Sequence, residues 1–177
     1  GKIIKYLSQW EDYNLPLGHC IVNKTVCGCG FTHYCLTNND NIILISPRKT
    51  LIINKVEQNP NCYYFKPKDL TNSEKKFLIK ANPLVSDPEE LFRQECFRRQ
   101  LEELRDYLLS EIFPKKILVT NDSLPKLFII LDSIFGTNTS WISDYRVIVD
   151  EFQLIFSDAK FKASVGLNLV SSLQNFS

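Results

Sequence analysis

The chain has 177 residues, 44% of them hydrophobic and 23% charged, with a formal net charge of +1. That size and composition suit one globular domain with its own core, and exclude a disulfide-stapled miniprotein or a low-complexity chain. Near-neutral charge neither demands nor excludes a nucleic-acid partner, and no apolar run approaches the ~20 residues a membrane helix needs.

Gly1 and Lys2 open a mixed polar stretch rather than a signal peptide. Cysteines 20, 27, 29, 35, 62 and 96 in a core-competent chain without that signal are expected to be reduced thiols of a cytoplasmic protein. The absence of methionine is expected of a processed or excised piece.

Residues 1–18 are polar and aromatic and close on the turn "LPLG". "HCIVNKT" (19–25) predicts a short strand, "TVCGCGFT" a glycine loop, and "THYCL" (32–36) a helix that "TNNDN" ends. "IILIS" (42–46) is a continuous apolar run, as in a strand buried on both faces of a parallel sheet. "PRKTLIINKVEQ" (47–58) predicts a helix with Pro47 in its first turn and Leu51, Ile52 and Val56 at helical spacing. "CYYF" (62–65) predicts another strand.

Residues 66–115 are charge-rich and predict a mainly helical insertion in the sheet fold. Asp87 is placed as an N-cap, Pro88 at the first helical position and Glu90 as the capping-box acid. Leu91, Phe92, Cys96, Leu101, Leu104 and Leu108 form an apolar stripe running to Leu109. Arg93, Arg98, Arg99 and Arg105 alternate with glutamates, which predicts a solvated face.

"KILVT" (116–120) returns to a buried strand, and residues 121–136 predict a helix capped by Asp122 or Ser123 with Gly136 beyond its end. After a loop holding Trp141, "RVIVDEF" (146–152) predicts a third buried strand, and residues 157–176 a final helix. Apolar strands alternating with helices point to a parallel α/β sheet.

Ligands of such sheets bind at the carboxyl ends of the strands, and three strand ends here carry suggestive residues. Gly28 and Gly30 allow a loop that turns amides inward before a helix, and Thr32 stands where a hydroxyl could ligate Mg²⁺. Against the phosphate-loop pattern GxxxxGK[ST], Thr25 replaces the first glycine and Phe31 the lysine. Asp150 and Glu151 leave a strand together, a pairing that calls for a cation or solvent. Mg²⁺ on Asp150 with Glu151 positioning a water would account for both acids. At the third end, "SPRKTLI" and "VTNDSL" offer hydroxyls, Arg48 and helix starts suited to backbone phosphates. The bland alternatives are a tight turn, exposed loop acids and ordinary caps.

In this order and spacing the elements resemble the first RecA-like domain of superfamily two helicases, the DEAD/DEAH-like nucleic-acid-dependent ATPases. "TVCGCGFT" looks like motif I (Walker A), "SPRKTLI" like motif Ia, "VTNDSL" like motif Ib and "VIVDEFQ" like motif II (Walker B). A narrower similarity is to helicase-like replication or mobile-element proteins with comparable "NKTxxGxGxT" loops. The broad resemblance spans about residues 19–156, the 66–115 insertion excepted.

The resemblance implies a three-layer α/β fold of the P-loop NTPase kind, residues 1–177 forming one N-terminal helicase lobe. Cys27, Gly28, Cys29, Gly30, Phe31 and Thr32 would surround the β- and γ-phosphates of ATP. Thr32 and Asp150 would share Mg²⁺, and Glu151 would be the base or water-positioner. Arg48, Lys49, Thr50, Thr120 and Asn121 would lie along a nucleic-acid strand, DNA rather than RNA. Phe31 removes the usual cation, which Lys24 is near enough in sequence to replace. The Ser-Ala-Thr motif expected after motif II is missing. The second RecA-like domain, the expected partner, is not in the sequence, and the arginine finger belongs to it. The fragment is therefore expected to be a poor ATPase.

Other readings use the same residues. A non-catalytic RecA-like module binding nucleic acid or protein fits the loss of the lysine. A zinc domain would use His19, Cys20, Cys27, Cys29, His33 and Cys35, but their C-x-C and H-x-C spacing is not paired C-x₂-C. Strand alternation would also send His19 and Cys20 to opposite faces. A thiol enzyme would use Cys27 or Cys29 with His33 or His19 as base. Cys20 and Cys35 are otherwise expected to be small core residues.

Overall fold

The computed structural model of the protein describes residues 14, 30–137 and 140–151. The strand expected at 19–25, the loop through residue 29 and the helix expected at 157–176 lie outside the described residues.

Strands β1 (Ile42–Ser46), β2 (Tyr63–Phe65), β3 (Lys116–Thr120) and β4 (Arg146–Val149) form one sheet in the order β2-β3-β1-β4. Every pairing is parallel, with Ile42 opposite both Lys116 and Arg146. The expected parallel α/β architecture is present. β1 and β3 are buried along their whole length, which explains why their sequences show no polar alternation. β4 differs from its expected full burial, since all its residues are half-buried. Among the described residues it pairs with β1 alone.

Side chains alternate between two apolar layers. Ile42, Leu44 and Leu118 face a cluster with Phe31, Cys35 and Leu36 of α1 (Phe31–Thr37) and Ile52 of α2 (Lys49–Gln58). Ile43, Ile45, Ile117 and Val119 face the other cluster. That cluster contains Leu104 of α4 (Pro88–Leu109) and Leu124, Leu127, Phe128, Ile130 and Leu131 of α5 (Leu124–Phe135). Helices therefore cover both faces of the sheet. Full burial of one aliphatic side chain contributes about 1.5–3 kcal/mol, so both layers are strong determinants of the fold.

The segment 66–115 is helical as expected, with α3 (Asn72–Ala81) preceding α4. It is only partly an appendage. Phe97, Leu101, Leu104, Tyr107 and Leu108 of α4 pack on the sheet-facing cluster, so α4 is the crossover that parallel neighbours β2 and β3 require. Leu109, placed at the end of the apolar stripe, is instead 78% exposed. The alternating charges do form a solvated face, with Arg98 paired to Glu95 and Glu102 and Arg93 to Glu90.

Capping explains several boundaries. The Asp87 carboxylate accepts the N–H groups of Glu89 and Glu90 at 3.1 and 3.3 Å, with Pro88 at the helix start. Glu90 is not the capping-box acid; its carboxylate accepts from Arg93 and Gln94. A complete capping box stands instead at α3, where Thr71 and Glu74 exchange bonds of 3.2 and 2.7 Å. α2 begins at Lys49 after an extended Arg48, so Pro47 lies before the helix rather than in its first turn. Before α5 a 3-10 turn covers Asn121–Ser123, and neither Asp122 nor Ser123 makes the expected side-chain cap; Gly136 ends that helix with φ 91°.

At the opposite rim of the sheet, Lys116 ties α1 to β3. Its Nζ donates to the carbonyls of Cys35 (2.9 Å) and Asp40 (2.6 Å) and to Asn38 Oδ1. These acceptors close the carboxyl end of α1, where a cation suits the helix dipole. Trp141, expected in a loop, is buried in a 3-10 turn, where its indole N–H donates to Asp132 at 2.7 Å.

Candidate functional site

The two central strands, β1 and β3, end in Ser46 and Thr120, and Asp150 directly follows β4. Ser46 pairs in register with Thr120, and one step beyond the Ile45–Val149 pair brings Ser46 level with Asp150. Alternation sends Asp150 to the same side as Ile148, the layer of α1 and α2. There the Asp150 carboxylate is 5% exposed and receives several donors.

Thr32 Oγ1, in the first turn of α1, donates to Asp150 Oδ2 at 3.3 Å across 118 residues of sequence. Lys55 Nζ, from α2, stands 3.1 Å from the same oxygen, and both partners of this ion pair are largely buried. The Glu151 amide donates to Asp150 Oδ1 at 3.1 Å, and the Asp150 amide to Ile45 O at 2.8 Å. Glu151 has φ 53°, a left-handed conformation unusual for a residue with a Cβ. The sharp turn it makes folds its own amide back onto the preceding carboxylate.

Of the glycine loop, Gly30 and the helix start that follows it are among the described residues. Gly30, at φ 81°, occupies the position before α1, where a Cβ would be disfavoured. Phe31, which stands where a phosphate loop has lysine, is 7% exposed and packed in the layer with Ile42, Leu44 and Ile52. It is an apolar anchor of α1. Cys27, Gly28 and Cys29 lie outside the described residues.

The residues assigned to a nucleic-acid strand divide. Arg48, Lys49 and Thr50 are exposed at the start of α2. Thr120 and Asn121 are buried, at 7% and 5% exposure, and Thr120 Oγ1 donates to Ser123 Oγ at 3.4 Å. Neither polar atom of the Asn121 side chain, nor Ser46 Oγ, has a hydrogen-bond partner among the described residues. Buried polar atoms of this kind usually accompany a bound polar group or water.

Thr32 and Asp150 are hard oxygen donors, and their 3.3 Å separation is close to that of two neighbouring ligands around an octahedral Mg²⁺, roughly 3 Å. The donor set thus fits that ion. Among the described residues no group of three or more His, Cys, Asp and Glu gathers as metal ligands. His33 is exposed and Cys35 is fully buried; His19, Cys20, Cys27 and Cys29 lie outside the described residues.

Lys55 is the site residue that motif reasoning did not reach. Its signal was a lysine one helical turn from the buried Ile52 and next to Val56, hence on the apolar side of α2. No helix among the described residues is long and apolar enough to cross a membrane. No protein-family model, curated protein or solved structure matches the chain.

Proposed function

We propose that the chain is the N-terminal, ATP-binding lobe of a DNA helicase-like, nucleic-acid-dependent ATPase with an altered phosphate loop. The observation that carries this is the Thr32–Asp150 contact at 3.3 Å, which joins the first turn of α1 to the acid after β4 at one rim of a parallel sheet. Brought together there, a hydroxyl and a buried carboxylate supply two oxygen ligands for Mg²⁺, with Glu151 beside them to orient water. The ion, when bound, would neutralise phosphate charge. Thr32 and Asp150 would hold it, the amides of Gly30, Phe31 and Thr32 would face the phosphates, and the exposed Arg48, Lys49 and Thr50 would present donors to a nucleic-acid backbone. A second RecA-like domain in the parent protein would complete the catalytic cleft, and the lobe alone hydrolyses ATP poorly.

Thermal denaturation of the purified chain with increasing Mg·ATP, and with ATP in EDTA, tests the proposal. A ligand that binds only the folded state at a hundredfold excess over its dissociation constant stabilises by about 2.7 kcal/mol. The expected result is a rise in melting temperature with Mg·ATP that disappears in Asp150→Ala. No rise at millimolar Mg·ATP in the unmodified chain would refute nucleotide binding.

A specific observation favours a second reading, a non-catalytic RecA-like module for nucleic acid or protein. Phe31 is built into the core, so the loop lysine has been replaced by a structural residue. That reading predicts salt-sensitive DNA binding through Arg48 and Lys49 with no response to nucleotide.

A further inference from the structure

Phe31 cannot be the cation of a phosphate site, yet such a site needs one. Even with a divalent ion, a nucleoside triphosphate keeps net negative charge, and Asp150 adds another negative charge in a buried position. Lys55 already stands there. Its Nζ lies 3.1 Å from Asp150 Oδ2, the oxygen that Thr32 approaches to 3.3 Å, and its side chain is only 16% exposed. A lysine so largely withdrawn from water is costly to place, and Lys55 lies one turn after the buried Ile52 on α2. Level with Asp150 on the next strand, the hydroxyl of Ser46 is fully buried and has no partner among the described residues. A ligand group reaching this rim would find a cation, a free hydroxyl and a carboxylate together.

We propose that Lys55, from the helix after β1, supplies the phosphate-directed charge that the loop lacks at Phe31. This rests on the nucleotide site proposed above. Without nucleotide, the ammonium neutralises Asp150. With Asp150 engaged by a bound cation, the flexible stem of Lys55 would let Nζ reach a phosphate oxygen of the nucleotide instead. The rival role is a plug, in which Lys55 competes with Mg²⁺ for Asp150 and opposes binding.

Calorimetric titration of the 177-residue chain with Mg·ATP, Mg·ADP and adenosine separates these roles, using Lys55→Met, Lys55→Gln, Lys55→Arg and, for comparison, Lys24→Met. The expected result is at least a tenfold loss of ATP and ADP affinity in Lys55→Met, unchanged adenosine binding, and substantial recovery in Lys55→Arg. Lys55→Gln keeps a hydrogen bond to Asp150 and shows the same loss, which covers the case of a methionine variant that does not fold. Equal or tighter ATP binding in Lys55→Gln, or a loss confined to Lys24→Met, overturns the assignment while leaving the nucleotide site standing. Absence of ATP binding by the unmodified chain overturns both.

Discussion

Ser46 ends a strand of four aliphatic residues with a hydroxyl that is fully buried and unpartnered among the described residues. Burying such a group without a hydrogen bond costs about 1–3 kcal/mol, and the expense persists only where something other than stability is selected. Ser46→Ala is therefore expected to stabilise the ligand-free chain by about 1 kcal/mol, read as a higher urea midpoint at unchanged slope. A loss of stability instead would mean that the hydroxyl is bonded. Glu151 shows similar local tension, with φ 53° immediately after the buried Asp150. Both residues lie at the rim where Thr32 and Lys55 converge, whereas the strand interiors are free of such tension.

Among the elements, α3 is held by polar contacts more than by packing. None of its residues is buried. Its principal tie is Arg99 of α4, which donates to Glu74 at 2.7 Å and to Glu95 at 2.9 Å. Hydrogen bonds from Arg98 and Arg99 hold the Glu95 carboxyl down at about 2, so its contribution is complete above the ordinary carboxyl range and fades as pH falls toward 2. Arg99→Ala should free α3 while leaving the sheet intact. Trypsin would then cut at Lys75, Lys76 or Lys80 several-fold faster than in the unmodified chain, with the global urea midpoint little changed. Equal cutting rates would show that Arg99 is not the tie. The capping box at Thr71 and Glu74 was written in "TNSE", but its acid also serves Arg99, a coupling that local sequence cannot reveal.

For the whole molecule, buried ionisable groups set an alkaline stability profile. Burial pushes the Lys116 ammonium down to about 8, so its contribution grows as pH rises from 8 toward the ordinary lysine value. Burial raises the Cys62 thiol to about 11 and the Tyr107 and Tyr145 phenols to about 12. Their contributions are complete below the unfolded values and are lost as pH rises through the folded ones. Opposite signs predict a maximum near pH 9–10 and a steep fall above it. Urea midpoints at about pH 7.5, 9.5 and 11.5 should rank the middle value highest and the last lowest. A last value equal to the middle one would mean that Cys62 and the tyrosines titrate normally in the fold.

By itself, the amino-acid order determined the four described strands, the main helices between them and their parallel arrangement. "IILIS" and "KILVT" are apolar throughout because helices cover both faces, and a run without alternation has few other solutions. Asp87 and Pro88 marked the start of α4 because capping is a local exchange between a side chain and the amides just after it. Only the tertiary structure decided the direction of the side chains that make the site. Phe31 could be read as an altered loop position until its ring was found among Ile42, Leu44 and Ile52. Lys55 carried no motif, since its meaning depends on an aspartate just after β4, distant in sequence. Contacts such as Thr32 with Asp150 span 118 residues. They exist because α1 packs on the sheet face where β4 ends, and no local propensity encodes that.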